Sequence, residues 1–518
     1  MSTSALGPVA LGERRVVVAG LMLSMALAAL DSTVVATAIP SIVRDLGGFS
    51  LFPWVFSAYL LVQAATIPIY SKLADLYGRK PVLLAGIAVF VLGSALSGAS
   101  WSMVALIVFR GVQGVGAGAV QPVTNTIIGD MFTVEERARV QGYFSSVFGI
   151  ASVIGPAIGG ILVQYASWHW IFYVNVPIGI AAAYVLARHF DEQVERRRHR
   201  IDYAGAGALA LGVGLIVLDL LEGGVAWPFL STPSVALLGA AALSLAVFVR
   251  IEQRAPEPTL PLWVFRRPAL VGANIASVTI GALSVGLSSF LPVFVQGTMG
   301  STPLVAGAVL GAMSLAWPLA SSQSGRLYLR IGFRQTALLG SAIATVAAVL
   351  FVLLPPTARP WEAAVPSFLM GIGLGFCAVT LIVSVQSAVD WGARGVVTGA
   401  QMFTRMVGST LGAAVFGAVL NAALVHWFAA APKSIRSVLP HSLSAASLAL
   451  SPGLGRVNRR AVAFVRQGLF LGVHHIFLGL ALAAVLTFAA LWLMPGRAEE
   501  AEAGLRPQPV EADSSLPV

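Results

Sequence analysis

Long apolar runs alternate with short polar interruptions along this chain, and the runs have the length of a bilayer crossing. A helix needs about 20 mainly apolar residues to span hydrocarbon, and its backbone polar groups must be satisfied within the segment. Stretches of this kind fall at 16–39, 53–70, 81–99, 102–128, 140–164, 169–188, 203–221, 233–250, 268–295, 304–323, 335–355, 363–386, 397–425 and 471–494. They predict fourteen transmembrane helices in an all-α integral membrane protein. The 268–295 and 397–425 runs are long enough to be tilted or kinked. The first run follows Arg14 and Arg15 and carries "ATA" at 36–38, which mimics a signal-peptide cleavage site. It exceeds the apolar stretch of such a peptide, about 7–15 residues, and contains Asp31, so it reads as a retained helix.

Composition excludes a soluble reading. The chain of 518 residues is 57% hydrophobic and only 10% charged, against about 25% charged in soluble domains. Its mean hydropathy is +0.85. The single cysteine, Cys377, allows no internal disulfide. A pI near 10.2 can suggest nucleic-acid binding, but the basic residues are dealt out among alternate loops rather than gathered on one face. Arg14, Arg15, Lys72, Arg79, Lys80, Arg196, Arg197, Arg198, Arg254, Arg266, Arg267 and Arg334 share one side of the predicted topology; the short loops of the other side carry Arg44 and Arg359. By the positive-inside rule both termini are cytoplasmic, in a multi-pass protein of the cytoplasmic membrane whose basic loops face an anionic inner leaflet.

Internal echoes suggest two halves. "SKLADLYGRKPVLLAG" (71–86) is echoed by "SGRLYLRIGFRQTALLG" (324–340), with Gly78 on Gly332, Leu73 on Leu327, Lys72 on Arg326 and Lys80 on Arg334. "GYFSSVFGIASVIGPAIGG" (142–160) is echoed by "GAQMFTRMVGSTLGAAVFG" (399–417). The expected organisation is a six-helix half at 1–188, a charged cytoplasmic connector and two inserted spans at 189–254, a second six-helix half at 255–495 with a long outside loop at 426–470, and a disordered cytoplasmic tail at 496–518. Parallel halves related across the membrane normal are a transporter architecture, with the substrate path between them.

Asp31 sits inside the first apolar run. A carboxylate at the centre of a membrane helix costs about 2.5–3.5 kcal/mol on insertion scales. A carboxyl group that is neutral when dry and ionised when wet is what a proton carrier requires; the alternative is a local hydrogen bond to Ser32 or Thr33. Arg110 lies in an otherwise apolar or Gly-rich helix. Its guanidinium stays charged and must find acceptors or water, unless it snorkels to the outer surface. Gly155 and Gly159 form a small-residue face beside Pro156, which suits close helix packing. Gly78 supplies the tight turn between spans 2 and 3. No P-loop is present, which argues against an ATP-driven pump, and His169, His474 and His475 do not converge as metal ligands.

Five segments carry a family resemblance: "ALDSTVVATAIPSI" (29–42), "SKLADLYGRKPVLL" (71–84), "LIVFRGVQGVGAGA" (106–119), "GIASVIGPAIGGIL" (149–162) and "WHWIFYVNVPIG" (168–179). In order and at matching spans, they resemble the fourteen-span drug:proton antiporter family of the major facilitator superfamily, Ser71 being a departure from the Gly that opens the loop motif. The resemblance implies two six-helix halves plus two inserted helices. It implies proton-coupled efflux of amphipathic drugs or toxic small molecules by alternating access, driven by the proton gradient with no cofactor, in a monomer that is not an enzyme. The alternative is export of a dedicated lipid, siderophore or metabolite.

The same resemblance places Arg110 near the proton site. It makes Asp75, Gly78, Arg79, Lys80 and Asp130 a conformational latch, with Asp130 as partner of Arg79, where the residues alone allow an ordinary positive-inside loop. It makes Gly155, Pro156, Gly159 and Gly160 a leak-proof packing motif. The expected cavity is lined by Tyr59, Gln63, Phe148, Phe294, Gln296, Trp317, Phe376, Gln386 and Phe403, for each of which plain helix packing is the alternative. Family members that export dications tend to carry further membrane acids. Here Asp219 and Glu222 fall at the outer end of span 7, and no second deep carboxylate is evident, which favours neutral, zwitterionic or monocationic cargo.

Overall fold

The computed structural model describes residues 11–132, 147, 150–151, 154–192, 203–223, 226–229, 231–255, 260, 262–389, 394–432, 435 and 459–496. Within them the chain is a bundle of helices: α1 (Leu11–Leu46), α2 (Phe52–Tyr77), α3 (Arg79–Gly98), α4 (Met103–Met131), the described part of α5 (Ile154–Tyr165), α6 (Trp170–His189), α7 (Tyr203–Glu222), α8 (Thr232–Glu252), α9 (Pro268–Val293, continued by a wider turn at Phe294–Thr298), α10 (Pro303–Ile331), α11 (Phe333–Val352), α12 (Pro360–Ser387), α13 (Arg394–Ala429) and α14 (Arg459–Ala490). Thirteen of these are long and apolar enough to cross a membrane, and Ile154–Tyr165 is a shorter apolar helix. The protein is a multi-pass membrane protein. The predicted connector falls largely outside the described residues, as do most of the 426–470 loop and nearly all of the tail.

The packing repeats. In the first six helices α4 packs closely on both α2 and α3; in the last six α12 packs in the same way on α10 and α11. The two turns aligned by sequence share one backbone shape, with φ 95° at Gly78 and 89° at Gly332, a region open to glycine and strained for other residues. Each turn reverses the chain within a single residue, so that successive helices stay neighbours.

The halves meet at one end of the bundle, the end that carries the 47–51 turn. There Gln296 Nε2 donates to Thr37 O (3.3 Å) and Asn421 Nδ2 donates to Ser50 O (3.0 Å). Phe52 meets Phe290 edge-on at 5.4 Å. Small residues allow the closest approaches. A Cβ built on Gly160 would stand 2.9 Å from Leu304 Cα, and one on Gly417 would stand 2.6 Å from Pro53 Cβ. These two glycines are aligned in the sequence echo, and each meets the start of the other half's second helix. A single apolar core joins Val34, Ile39, Phe49, Phe52, Leu106 and Phe172 of the first half to the last six helices. Toward the opposite end, Val17, Leu21, Ile87, Phe90, Val120 and Ile127 form a core of the first half alone. Among the described residues, apolar packing is therefore shared at one end and divided at the other.

The inserted helices lie against the side of this seam. Val213, Val217 and Leu221 of α7 pack with Ala414 of α13 and with Trp54 and Leu61 of α2. Trp54 Nε1 donates to Glu222 (3.1 Å), while Asp219 accepts from Ser234 Oγ (3.0 Å) and Trp227 Nε1 (3.3 Å). These two acids tie the inserted hairpin to itself and to α2.

The close approaches generate a test. Gly160→Val forces a side chain into the α10 backbone, and overpacking of this kind costs about 1–3 kcal/mol. Gly311→Val, whose added Cβ meets nothing within 4 Å, is the control. The expected outcome in detergent is a lowered melting temperature for Gly160→Val and an unchanged one for Gly311→Val.

Candidate functional site

Asp31 and Arg110 face each other in the interior of the first half, each 1% exposed. Arg110 Nη1 donates to Asp31 Oδ2 at 2.7 Å and to Gln113 Oε1 at 2.6 Å; its Nε donates to Val55 O at 3.3 Å. Gln113 Nε2 closes the ring by donating to Asp31 Oδ1 at 2.8 Å. The three-residue spacing of Arg110 and Gln113 puts both on one face of α4. Tyr59 of α2 lies beneath the guanidinium, 4.1 Å from carbon to ring centroid, a favourable cation–π arrangement.

A fourth group enters from α6. That helix is interrupted for one residue at Val174 and resumes at Asn175. Pro177 lies in the first turn of the resumed segment, where a missing N–H is tolerated. Asn175 Nδ2 donates to Asp31 Oδ1 (3.1 Å) and to Ser94 Oγ (3.0 Å), and Ser94 Oγ donates to Phe172 O (2.9 Å). The carboxylate thus accepts from three donors on two other helices, and the network ties α1, α2, α3, α4 and α6 together.

The chemistry follows from the charges. A guanidinium keeps its proton in proteins, so the pair has one titratable member, Asp31. With Asp31 ionised the knot is neutral; with Asp31 protonated it carries one positive charge, which Gln113 and Val55 O can solvate only in part. One proton therefore changes the local charge by a whole unit in a low-dielectric site, where such a change has the largest effect. Asp31 is held by Arg110, Gln113 and Asn175, and the side chain of Ser32 lies outside the described ones. Thr33 Oγ1 is taken by backbone oxygens, including Ala151 O of span 5 (3.3 Å). Arg110 does not snorkel outward. Gln113, Asn175 and Ser94 were not singled out from sequence, although two of them lie inside the quoted motifs.

The span-5 motif packs on α1 in the turns that follow Asp31. Gly155 lies against Thr33 Oγ1 and Gly159 against Thr37 Oγ1 and Val34 O. Pro156 O faces Gly307 of α10, and Gly160 faces Leu304 and Pro303. At the other end of the bundle, Glu192 reaches back to the α3 N-terminus. Its carboxylate accepts from Arg79 N (2.9 Å) and Lys80 N (2.9 Å), with Arg79 Nη1 at 3.3 Å, and Lys80 Nζ lies 3.4 Å from Asp191. An acid at a helix N-terminus satisfies orphan donors and the helix dipole. Arg79 is thus held by Glu192, a residue that the sequence reading placed only in a charged connector. The side chains of Asp75 and Asp130 lie outside the described ones.

The expected cavity list fares unevenly. Tyr59 and Gln63 are buried in the first half, Tyr59 as part of the Arg110 site. Phe294 is 1% exposed and packs against Phe470, His474 and Phe477. Gln296 is an inter-half clamp, and Gln386 bonds to Thr398 (3.0 Å). Trp317 and Phe403 are half-buried against the shared core. Phe376 is half-buried, its Cβ beside Gly340 of α11. Phe148 lies outside the described residues.

Comparison with known proteins places these features in a family. The model of the Major Facilitator Superfamily matches residues 21–413. The chain is similar to Multidrug resistance protein 3 of Bacillus subtilis (strain 168), 37% identical over 78% of this chain and 79% of that protein. It is also similar to the multidrug transporter protein MdtP of the same organism, 34% identical over 79% and 76%. Among solved structures it resembles a bacterial homologue of the human lysosomal transporter Spinster in an inward-facing, unoccupied conformation. The TM-score is 0.67 and the identity 16%, over 94% of this chain and 98% of that one.

The ion pair yields an asymmetric prediction. Breaking a buried pair typically costs about 3–5 kcal/mol because a charge is left alone. Asp31→Asn strands a guanidinium that keeps its charge, whereas Arg110→Gln strands a carboxylate that can take a proton. The expected order of melting temperature in detergent is wild type, then Arg110→Gln, then Asp31→Asn, with the double variant above Asp31→Asn.

Proposed function

The chain belongs to the Major Facilitator Superfamily, a family of membrane transporters, and on that footing we propose that it exports amphipathic small molecules, drugs among them, across the cytoplasmic membrane in exchange for protons. The observation that carries this reading is the buried Asp31–Arg110 pair, closed by Gln113 and Asn175. A merely structural ion pair in hydrocarbon is a poor source of stability, whereas a titratable one is a means of coupling. The names of the two Bacillus relatives, both multidrug proteins, support the cargo class.

In this reading Asp31 takes a proton from the outside and releases it to the cytoplasm. Protonation removes its charge attraction to Arg110 and weakens the hold of α4 and α6 on α1. The positive-inside rule makes the end with the shared core the outside and puts both termini in the cytoplasm, so the described arrangement faces the cytoplasm. Gly155, Pro156, Gly159 and Gly160 act as packing that keeps the outer end tight. Arg79 and Lys80, held by Glu192 and Asp191, stabilise one arrangement of the cytoplasmic end, with Asp75, Gly78 and Asp130 as further members of the latch. The proton gradient supplies the energy, about 2.3 kcal/mol per charge per 100 mV plus any pH difference. The working unit is a monomer in the bilayer, and it needs no cofactor.

Proteoliposomes with an internal pH dye test the reading. Wild type is expected to move protons on addition of one or more compounds from a panel of lipophilic cations, neutral amphiphiles and amphiphilic acids, and Asp31→Asn is expected to be silent. Equal responses would remove Asp31 from coupling. Silence of the wild type across the panel would favour a dedicated lipid, siderophore or metabolite as cargo.

A further inference from the structure

One deep cation takes no part in the network above. Arg405 lies in α13, eleven residues from its first residue, Arg394, which is about 17 Å along the axis. That is deeper than an extended arginine reaches back to a headgroup layer. It is half-buried. Among the described residues its side chain has no carboxylate within 4.0 Å, no hydrogen bond and no ring beneath it, whereas Arg110 has all three.

Its place in the fold is informative. Thr398, Met402, Arg405 and Ser409 follow one another at spacings of four, three and four residues, a single stripe of α13. Thr398 at the start of that stripe bonds Gln386 of α12. The neighbouring Gln401, Thr404 and Gly408 turn to α9: Thr404 Oγ1 donates to Asn274 (3.1 Å), and Gly408 lies against Val278; the stripe borders that face, since Gly281 of α9 packs on the Arg405 backbone and accepts from Ser409 Oγ (3.1 Å). Farther along, Gly417 meets Pro53 of the other half. Arg405 therefore stands at the border of the α9 contact, on a helix that also packs against α2 of the first half, toward the end where the two halves have separate cores. In the echo that aligns 142–160 with 399–417, the first half has Phe148 at the equivalent position.

A guanidinium in hydrocarbon is costly, cannot shed its charge, and is shaped for two-point recognition of an oxyanion. The Asp31 carboxylate is already committed to Arg110, and no other described acid of the spans lies within 4.0 Å of Arg405. We propose that Arg405 is the cargo-recognition group of the path between the halves, and that it pairs with a carboxylate, phosphate or sulfonate on an amphipathic cargo. This rests on the export reading and narrows it: the preferred cargo is an acid or a zwitterion rather than a simple cation. An anionic lipid headgroup offers the same chemistry, and the test separates the two.

The probes are a dansyl-labelled long-chain carboxylic acid, its methyl ester and the matching quaternary amine, titrated by fluorescence against purified protein in detergent and in vesicles of phosphatidylcholine with or without phosphatidylglycerol. The wild type is expected to bind the acid at least about tenfold more tightly than the ester or the amine, as sites built around a polar partner reject analogues that lack it. Arg405→Met is expected to abolish that preference and Arg405→Lys to keep part of it, both with near wild-type melting temperatures. Equal binding of acid and ester by wild type overturns the proposal without recourse to any variant, as does an intact preference in Arg405→Met. Loss of the acid preference whenever phosphatidylglycerol is present assigns the oxyanion to a lipid and overturns the cargo claim. Failure of the export reading is seen separately, as proton flux in proteoliposomes that no compound elicits or that Asp31→Asn leaves unchanged, whereas these titrations need no flux.

Discussion

A charge that leaves water for hydrocarbon must find its partner inside the protein, and the first half of this molecule is organised around that constraint. Arg110 cannot neutralise itself, so its helix must face one that brings a carboxylate. Asp31 in turn has more lone pairs than one guanidinium can fill, and Gln113 and Asn175 take the rest. The consequence is architectural. Five helices are tied at one buried point by side chains whose geometry allows little slack, in a membrane where helices gain no hydrophobic drive to associate with one another.

Packing of small residues does the complementary work between halves. Gly160 admits the α10 backbone and Gly417 admits the Pro53 ring at distances that any side chain would block, and they sit at matching places in the two echoed segments. Contacts of this kind weaken steeply with separation, a gap of about 0.5–1 Å forfeiting a quarter to a half of the attraction. A seam built from them is suited to two arrangements rather than a continuum. The inserted helices α7 and α8 lie beside that seam without replacing it, held by Trp54 and Glu222 on one side and by apolar contact with α13 on the other.

How much of this the sequence discloses depends on the physical signal involved. Span positions follow from length and apolarity, and Asp31 and Arg110 stand out because charge in an apolar run is expensive. Gln113 and Asn175 carry a weaker version of the same signal, an amide in an apolar run, and sit within motifs that were read for other residues. The faces of helices are a different matter. In a bilayer both the core-facing and the lipid-facing sides of a helix are apolar, so hydrophobic periodicity loses its power to orient. Phe294 could thus be expected at a cavity and be found beside His474 and Phe477. Glu192 was hidden for another reason. It lies more than a hundred residues from the α3 N-terminus that it caps, and nothing local to "HFDEQVERRRHRI" marks Glu192 as the acid that caps it.

The last step concerns how the charge site and the seam are joined. A route of side chains between them is not required, because one helix carries both. On α1, Asp31 is followed by Thr33 and Thr37, which pack against Gly155 and Gly159, and Thr37 O receives Gln296 from the other half. Six residues of helix are about 9 Å, and a helix is stiff over that distance. A displacement of α1 at Asp31 is therefore a displacement at the seam. Coupling through a rigid element with two arrangements has a firmer physical basis than coupling through a relay of contacts. The buried pair and the glycine seam are best regarded as two ends of one lever, and that is a reason for an acid whose insertion is costly to stand on α1 and not elsewhere in the bundle.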